Sequence, residues 1–227
     1  MKISSSSHKS PDKGISRPVR IGEMAGELRS PGRARSAGIV LFAHGSGSSR
    51  FSARNQAVAH VLQESGVGTL LFDLLTADEE KRDEATGELR FDISFLADRL
   101  MTATRWVSEE MGIDRGGIGY FGSSTGGAAA LVAAAEMPSR IDAVVSRGGR
   151  PDLAMDSLPR VKAPTLLIVG QRDEVVLQLN EEAAEQLSCE KELAIIPRAT
   201  HLFEEPGALD QVARLASSWF LRHFPTQ

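Results

Sequence analysis

Cysteine is nearly absent from this 227-residue chain. The single Cys189 excludes an intrachain disulfide and any multi-cysteine metal site. That usage fits a reducing compartment, and a cytoplasmic protein is expected. Aromatic residues are also scarce: nine Phe, two Trp and one Tyr, 5% of the chain. A surface built to stack bases or sugars would carry more. The formal net charge is only −4, which gives neither nucleic acid nor an anionic membrane as an expected partner. No apolar run reaches 18 residues, so no membrane-spanning helix is expected. The Ser-rich start, Met1 to Pro18, has no apolar stretch of the kind a secretory signal needs. It reads as a mobile polar tail, with one domain over residues 19–227.

After residue 37 the chain alternates short β-branched runs with longer helical patterns. That alternation marks βαβ units and a mostly parallel sheet flanked by helices. Strands are expected at Val19–Glu27 (one or two short ones), Gly38–Ala43, Thr69–Asp73, Gly117–Phe121, Ala143–Ser146, Pro164–Val169 and Leu193–Ile196. Helices are expected at Ser52–Glu64, Ile93–Met111, Ser124–Met137, Glu181–Leu187 and Leu209–Phe220. Thr76–Glu88 is dense in charge and reads as a loop.

The strongest chemical signal is Gly122-Ser123-Ser124-Thr125-Gly126, a G-x-S-x-G between an apolar strand and an Ala-rich helix. A turn this tight strains the central serine and needs small residues two positions away. It lifts the hydroxyl above the sheet at a helix N-terminus, where developing negative charge is favoured. A serine at its ordinary pKa needs a base, and the base needs an orienting acid. The order expected on such a sheet is Ser, acid, His. Of the two downstream histidines, His223 reads as a solvated cation ending the last helix. His201 follows a strand and reaches the same sheet edge as Ser124, so it is the expected base. Asp173 follows the strand ending at Val169 through a Gly turn and lies 28 positions before His201, room for one helix and one strand. Glu174 and Asp152 are the competing acids.

The oxyanion of a tetrahedral intermediate needs two converging N–H donors. Thr125 is expected to give one. The loop His44-Gly45-Ser46-Gly47-Ser48-Ser49 is expected to give the other, with Ser46 first and Gly45 or Gly47 as neighbours. His44 reads as a hydrogen-bonding prop for that loop, and His60 as an outward-facing helix residue.

Together, His44-Gly45 after a strand, the Ser124 turn, Gly170-x-x-Asp173 and His201 resemble the α/β-hydrolase fold superfamily over roughly residues 38–224. The compact length most resembles its dienelactone-hydrolase-like branch. Only 17 residues, 147–163, lie where larger relatives insert a cap, so no cap domain and an open site are expected. Where dienelactone hydrolases place a cysteine, this chain has Ser124. The resemblance therefore implies a serine esterase acting on a small-molecule acyl substrate through an acyl-enzyme, with no cofactor and no metal. Thioester, amide and lactone cleavage would use the same residues, and a non-catalytic binding module is the alternative outside catalysis. A homodimer is compatible with the sequence. Arg50, Arg147 and Arg150 lie at the expected catalytic edge and suit a substrate carboxylate or phosphate.

Two other readings fall away. Gly117-Ile118-Gly119-Tyr120-Phe121-Gly122 matches a dinucleotide fingerprint, with Asp142 20 positions on, but its glycines lie inside the strand instead of after it. A P-loop would need Lys after Gly127, where Ala128 stands.

Overall fold

A computed structural model describes residues 15–30, 36–113 and 117–225. The expected tail falls mostly on residues 1–14, outside that range. Its last four residues do not: Ile15–Pro18 begin strand β1 (Ile15–Ile21), which pairs antiparallel with β2 (Met24–Ser30) through a turn at Gly22, φ +59°. Val19, Ile21, Met24 and Leu28 bury into the core, which explains why this hairpin starts earlier than composition suggests.

The rest follows in order: β3 (Ile39–Ala43), α1 (Ala53–Glu64), β4 (Gly68–Phe72), α2 (Ala77–Thr86), α3 (Ile93–Met111), β5 (Ile118–Ser123), α4 (Thr125–Glu136), β6 (Ala143–Arg147), β7 (Thr165–Gly170), α5 (Glu174–Gln186), β8 (Lys191–Ile196) and α6 (Ala208–His223). The eight strands form one sheet in the order β1-β2-β4-β3-β5-β6-β7-β8, and every pairing from β4 to β8 is parallel. Strands β3, β4, β5, β6 and β7 are buried along their whole length, as strands covered on both faces must be. One core layer lies under α3 and α4, around Leu96, Leu100, Leu131 and Tyr120. The other lies under α1 and α6, around Val58, Leu62, Phe121, Phe220 and Phe42.

Two segments differ from expectation. Residues 76–88 are not a loop; they hold α2. Thr76 accepts from the Glu79 amide and Glu79 answers to the Thr76 amide, a capping box, while Gly87 closes the helix at φ +67°. Helix α5 begins at Glu174, seven residues before the expected start. The segment between β6 and β7 is a run of 3-10 turns, Pro151–Arg160, packed on α4 and α5, and adds no cap. No helix among the described residues is long and apolar enough to cross a membrane.

Parallel strands with one-handed crossovers leave the C-terminal ends of β3, β5, β6, β7 and β8 along one edge. The segments that follow those ends carry the candidate residues.

Candidate active site

Helix α4 can lie close on the sheet because nearly every residue of TGGAAALVAAAE is small, and ten of its twelve residues are buried. A side chain at Gly126 would sit 2.2 Å from the Ala43 carbonyl oxygen and 2.6 Å from that of His44. At Gly122 it would sit 2.4 Å from the Gly126 oxygen. Those glycines let β5 turn into α4 within one residue. That residue is Ser124, held at φ +52° and ψ −122°. Such backbone costs on the order of 1–3 kcal/mol and persists only where neighbours enforce it. Here the Ser124 amide donates to the Arg147 oxygen at 3.3 Å, and the Ser124 oxygen accepts from Gly127 and Arg150 amides at 3.0 and 3.1 Å.

Asp173 stands at the N-cap position of α5 yet does not cap it. Its Oδ2 is instead 2.6 Å from His201 Nδ1, so an Nδ1–H donates to the carboxylate and leaves Nε2 free. Glu174, the competing acid, is exposed on the first turn of α5; Asp152 is bound to Arg150. Glycines again make the approach possible. A side chain at Gly170 would strike the Ala199 oxygen at 2.4 Å, and Gly148, φ +51°, lies against the His201 ring. The His201 loop is fastened by Glu205, whose Oε1 accepts from the Thr200 amide at 3.0 Å.

Ser124 and His201 face one cavity of about 230 Å³, shared with Gly45, Ser46, Ser48, Ser52, Arg54, Asn55, Ser123, Arg147 and Leu202. No hydrogen bond links Ser124 to His201 in this state, and catalytic contacts often tighten only with substrate bound. Ser123, the neighbour in the motif, is no rival: it is buried and donates to Asn55 Oδ1 at 2.9 Å.

The Ser46 amide donates to Thr125 Oγ1 at 3.0 Å, which latches the Gly-rich loop to the start of α4. The Thr125 amide is in the first turn of that helix, where an N–H has no intrahelical acceptor. His44 props the loop as expected. It is buried, its Nδ1 meets the Gly45 oxygen at 3.0 Å, and its Nε2 accepts from the Leu74 amide at 3.1 Å. Burial holds its pKa below the ordinary histidine value, so it stays neutral.

The three arginines part ways. Arg50 binds Asp73 through both its amide and its guanidinium, outside the Ser124 cavity. Arg150 forms a two-pronged pair with Asp152 at 2.7 and 2.8 Å. Only Arg147 reaches the cavity, and it is joined there by Arg54, which no sequence signal distinguishes from any other helix arginine. Asn55 is equally unmarked in the sequence. His60 is exposed beside Glu64, as expected. His223 corrects the reading of a solvated cation: its ring packs on Trp219, 4.5 Å between centroids, and burial lowers its pKa.

The same architecture recurs in known proteins. The dienelactone hydrolase family model matches residues 24–222. A solved structure described as dienelactone hydrolase from Anabaena variabilis is 56% identical, with a TM-score of 0.89 over 95% of this chain and 100% of that one. XC6422 from Xanthomonas campestris, described as an a/b serine hydrolase without lid, shares the fold at 20% identity, with a TM-score of 0.74 over 96% of this chain and 98% of that one. A Mycobacterium tuberculosis protein provisionally named a phosphoribosyl transferase is 55% identical over 200 residues, 88% of this chain. The match spans 44% of that relative's length, so the chain is similar to less than half of it.

Proposed function

The chain belongs to the dienelactone hydrolase family, and from that premise we propose that it is a serine hydrolase cleaving carboxylic ester or related acyl bonds of small molecules through an acyl-enzyme on Ser124. The observation that carries this reading is the strained Ser124 backbone, φ +52°, opening onto the cavity that His201 shares, with Asp173 2.6 Å behind the imidazole. Strain of this kind is retained at sites where it positions a reacting group.

In the proposed reaction Ser124 Oγ attacks the substrate carbonyl carbon as His201 Nε2 takes its proton. Asp173 keeps the proton of the imidazole on Nδ1 and stabilises the imidazolium that forms. The tetrahedral oxyanion is bound by the Thr125 amide and by that of Ser46, which turns from Thr125 Oγ1 toward the new charge. Collapse expels the alcohol with the proton from His201. Water, deprotonated by the same base, then releases the acid.

The lone Cys189 lies beside Thr165, away from the elbow, and takes no part. A single cysteine, which cannot form an intrachain disulfide, fits a cytoplasmic enzyme. Phosphoribosyl transfer, in the mycobacterial relative's name, has no counterpart in this serine-and-dyad chemistry, and the shared region is 44% of that relative.

Ser124→Ala is expected to abolish p-nitrophenyl acetate turnover and labelling by a fluorophosphonate probe, with an unchanged thermal midpoint. Full activity in that variant would discard the assignment. A panel of ester, thioester, amide and lactone substrates ranks the acyl bonds.

A further inference from the structure

Helix α5 buries Val176, Asn180 and Ala183, a stripe at helical spacing. Two of the three are aliphatic, as a face packed into the fold should be. Asn180 interrupts them and is fully buried. Its Nδ2 donates to the Val176 oxygen of its own helix at 2.7 Å and, across 31 positions of sequence, to the Gly149 oxygen at 3.0 Å. Both neighbours are carbonyl oxygens, so the amide nitrogen has to face them. The Oδ1 is then buried with no hydrogen-bond partner among the described residues. An aliphatic side chain would avoid that cost, and a buried polar group kept at a cost calls for a reason.

The reason lies in what Gly149 touches. It belongs to the segment Arg147–Arg150, which lies between the nucleophile and the base. The Arg147 oxygen accepts from the Ser124 amide at 3.3 Å, and the Arg150 amide donates to the Ser124 oxygen at 3.1 Å. A side chain at Gly148, φ +51°, would come within 3.4 Å of Cε1 and Nδ1 of His201, so the Gly148 backbone walls one side of the imidazole. Gly149 is packed so closely that a Cβ there would stand 1.9 Å from Ser146 Oγ and 3.6 Å from the Gly127 Cα on α4. Backbone bonds fix Arg147 and Arg150 to Ser124, and Gly148 to the Ile168 oxygen at 2.7 Å. Gly149 is held by Asn180. Asn180 also stands on the helix that begins just after Asp173. One side chain thus ties the segment bearing on Ser124 and His201 to the helix that carries the acid.

We propose that Asn180 is a positioning residue: its amide fixes Arg147–Arg150 as a wedge that sets the His201 ring relative to Ser124 and Asp173. This rests on the reading of Ser124 and His201 as nucleophile and base, but the hold on the imidazole does not require turnover.

Asn180→Leu keeps the number of side-chain heavy atoms, releases Gly149 and removes the unpartnered oxygen. Inactivation by a fluorophosphonate probe and kcat/KM for p-nitrophenyl acetate are both expected to fall roughly tenfold to hundredfold, the effect of moving a reacting group by about 1 Å. The thermal midpoint is expected to hold or rise, as when a residue kept for function is replaced by a better-packing one. An asparagine kept for stability alone would give the reverse, a lower midpoint and a wild-type rate in the folded protein. The His201 Nδ1–H proton reads the dyad without chemistry. Its low-field magnetic resonance signal, identified by its loss in Asp173→Asn, is expected to shift or broaden in Asn180→Leu. Asn180→Asp has nearly the same volume but no amide donor for the Gly149 oxygen, and it should repeat both effects if leucine disturbs the packing. Inactivation at the wild-type rate, or an unmoved signal, in a folded Asn180→Leu or Asn180→Asp variant overturns the proposal. A wild-type chain that hydrolyses no ester and takes no probe, yet whose His201 signal depends on Asn180, would discard the nucleophile and keep the positioning role.

Discussion

Asp173→Asn isolates the electrostatic part of the proposed triad. Asn is nearly isosteric, and Asp173 occupies an N-cap position without capping, so the helix loses little. What is lost is a carboxylate 2.6 Å from His201 Nδ1. As the base takes the serine proton, a full positive charge develops on the ring beside it. Two unit charges about 4 Å apart interact by about 4 kcal/mol at an effective dielectric near 20. The His201 side chain is 38% exposed and that of Asp173 15%, so water screens part of this and about 3 kcal/mol is a fair expectation. At about 1.4 kcal/mol per decade that is roughly a hundredfold loss in rate. The amide of Asn also donates toward Nδ1 and favours the tautomer with its proton on Nε2, where the base must be empty. In the protease triad this pair of effects costs about 10⁴-fold. The expected loss in kcat/KM for p-nitrophenyl acetate is therefore about 10²- to 10⁴-fold, with the thermal midpoint within a degree or two. A folded Asp173→Asn variant retaining more than a tenth of wild-type activity would refute the claim that Asp173 sets the base.

Two further predictions concern the scaffold around the elbow. Gly126→Ala places a methyl group 2.2 and 2.6 Å from two backbone oxygens that cannot step aside, so it should cost about 3 kcal/mol, the upper end of ordinary overpacking. At Gly47, φ +66°, a Cβ would have no neighbour within 4 Å, so Gly47→Ala should cost only about 1 kcal/mol of left-handed strain; urea midpoints that rank the two the other way would defeat the packing argument. His44 gives a pH signature: burial lowers its folded pKa, whereas an unfolded histidine takes its proton near about pH 6.5. Below that pH the unfolded chain binds more protons, so stability falls as pH drops. His44→Gln should flatten the change in urea midpoint between pH 7.5 and 5.0, and an unchanged slope would assign the loss to other groups.

Much of the layout is legible in short stretches of sequence. Apolar runs such as Ile39–Ala43 and Thr165–Gly170 read as buried strands because a strand covered on both faces has no polar side. The turn at Ser124 reads from two flanking glycines and the strand and helix on either side. Residues 76–88 mislead through their charge density, although the Thr76–Glu79 box and Gly87 are local signals for the helix that forms. The hairpin start at Ile15 is hidden because Ile15–Pro18 are all exposed and burial begins only at Val19.

Read alone, the chain orders the strands and every helix except α2, and it marks a G-x-S-x-G turn followed by a candidate acid and a candidate histidine. These depend on patterns a few residues long: periodicity, caps and glycine. Which polar groups are satisfied depends on contacts between segments far apart in the chain. Arg50 finds Asp73 across 23 residues, Arg54 comes to lie beside Arg147 although 93 positions separate them, and the Ser46 amide latches onto Thr125. Arginines that look alike in the sequence thus differ in charge compensation. Pairing of side chains is settled by which surfaces the sheet brings into contact, and that is a property of the whole fold.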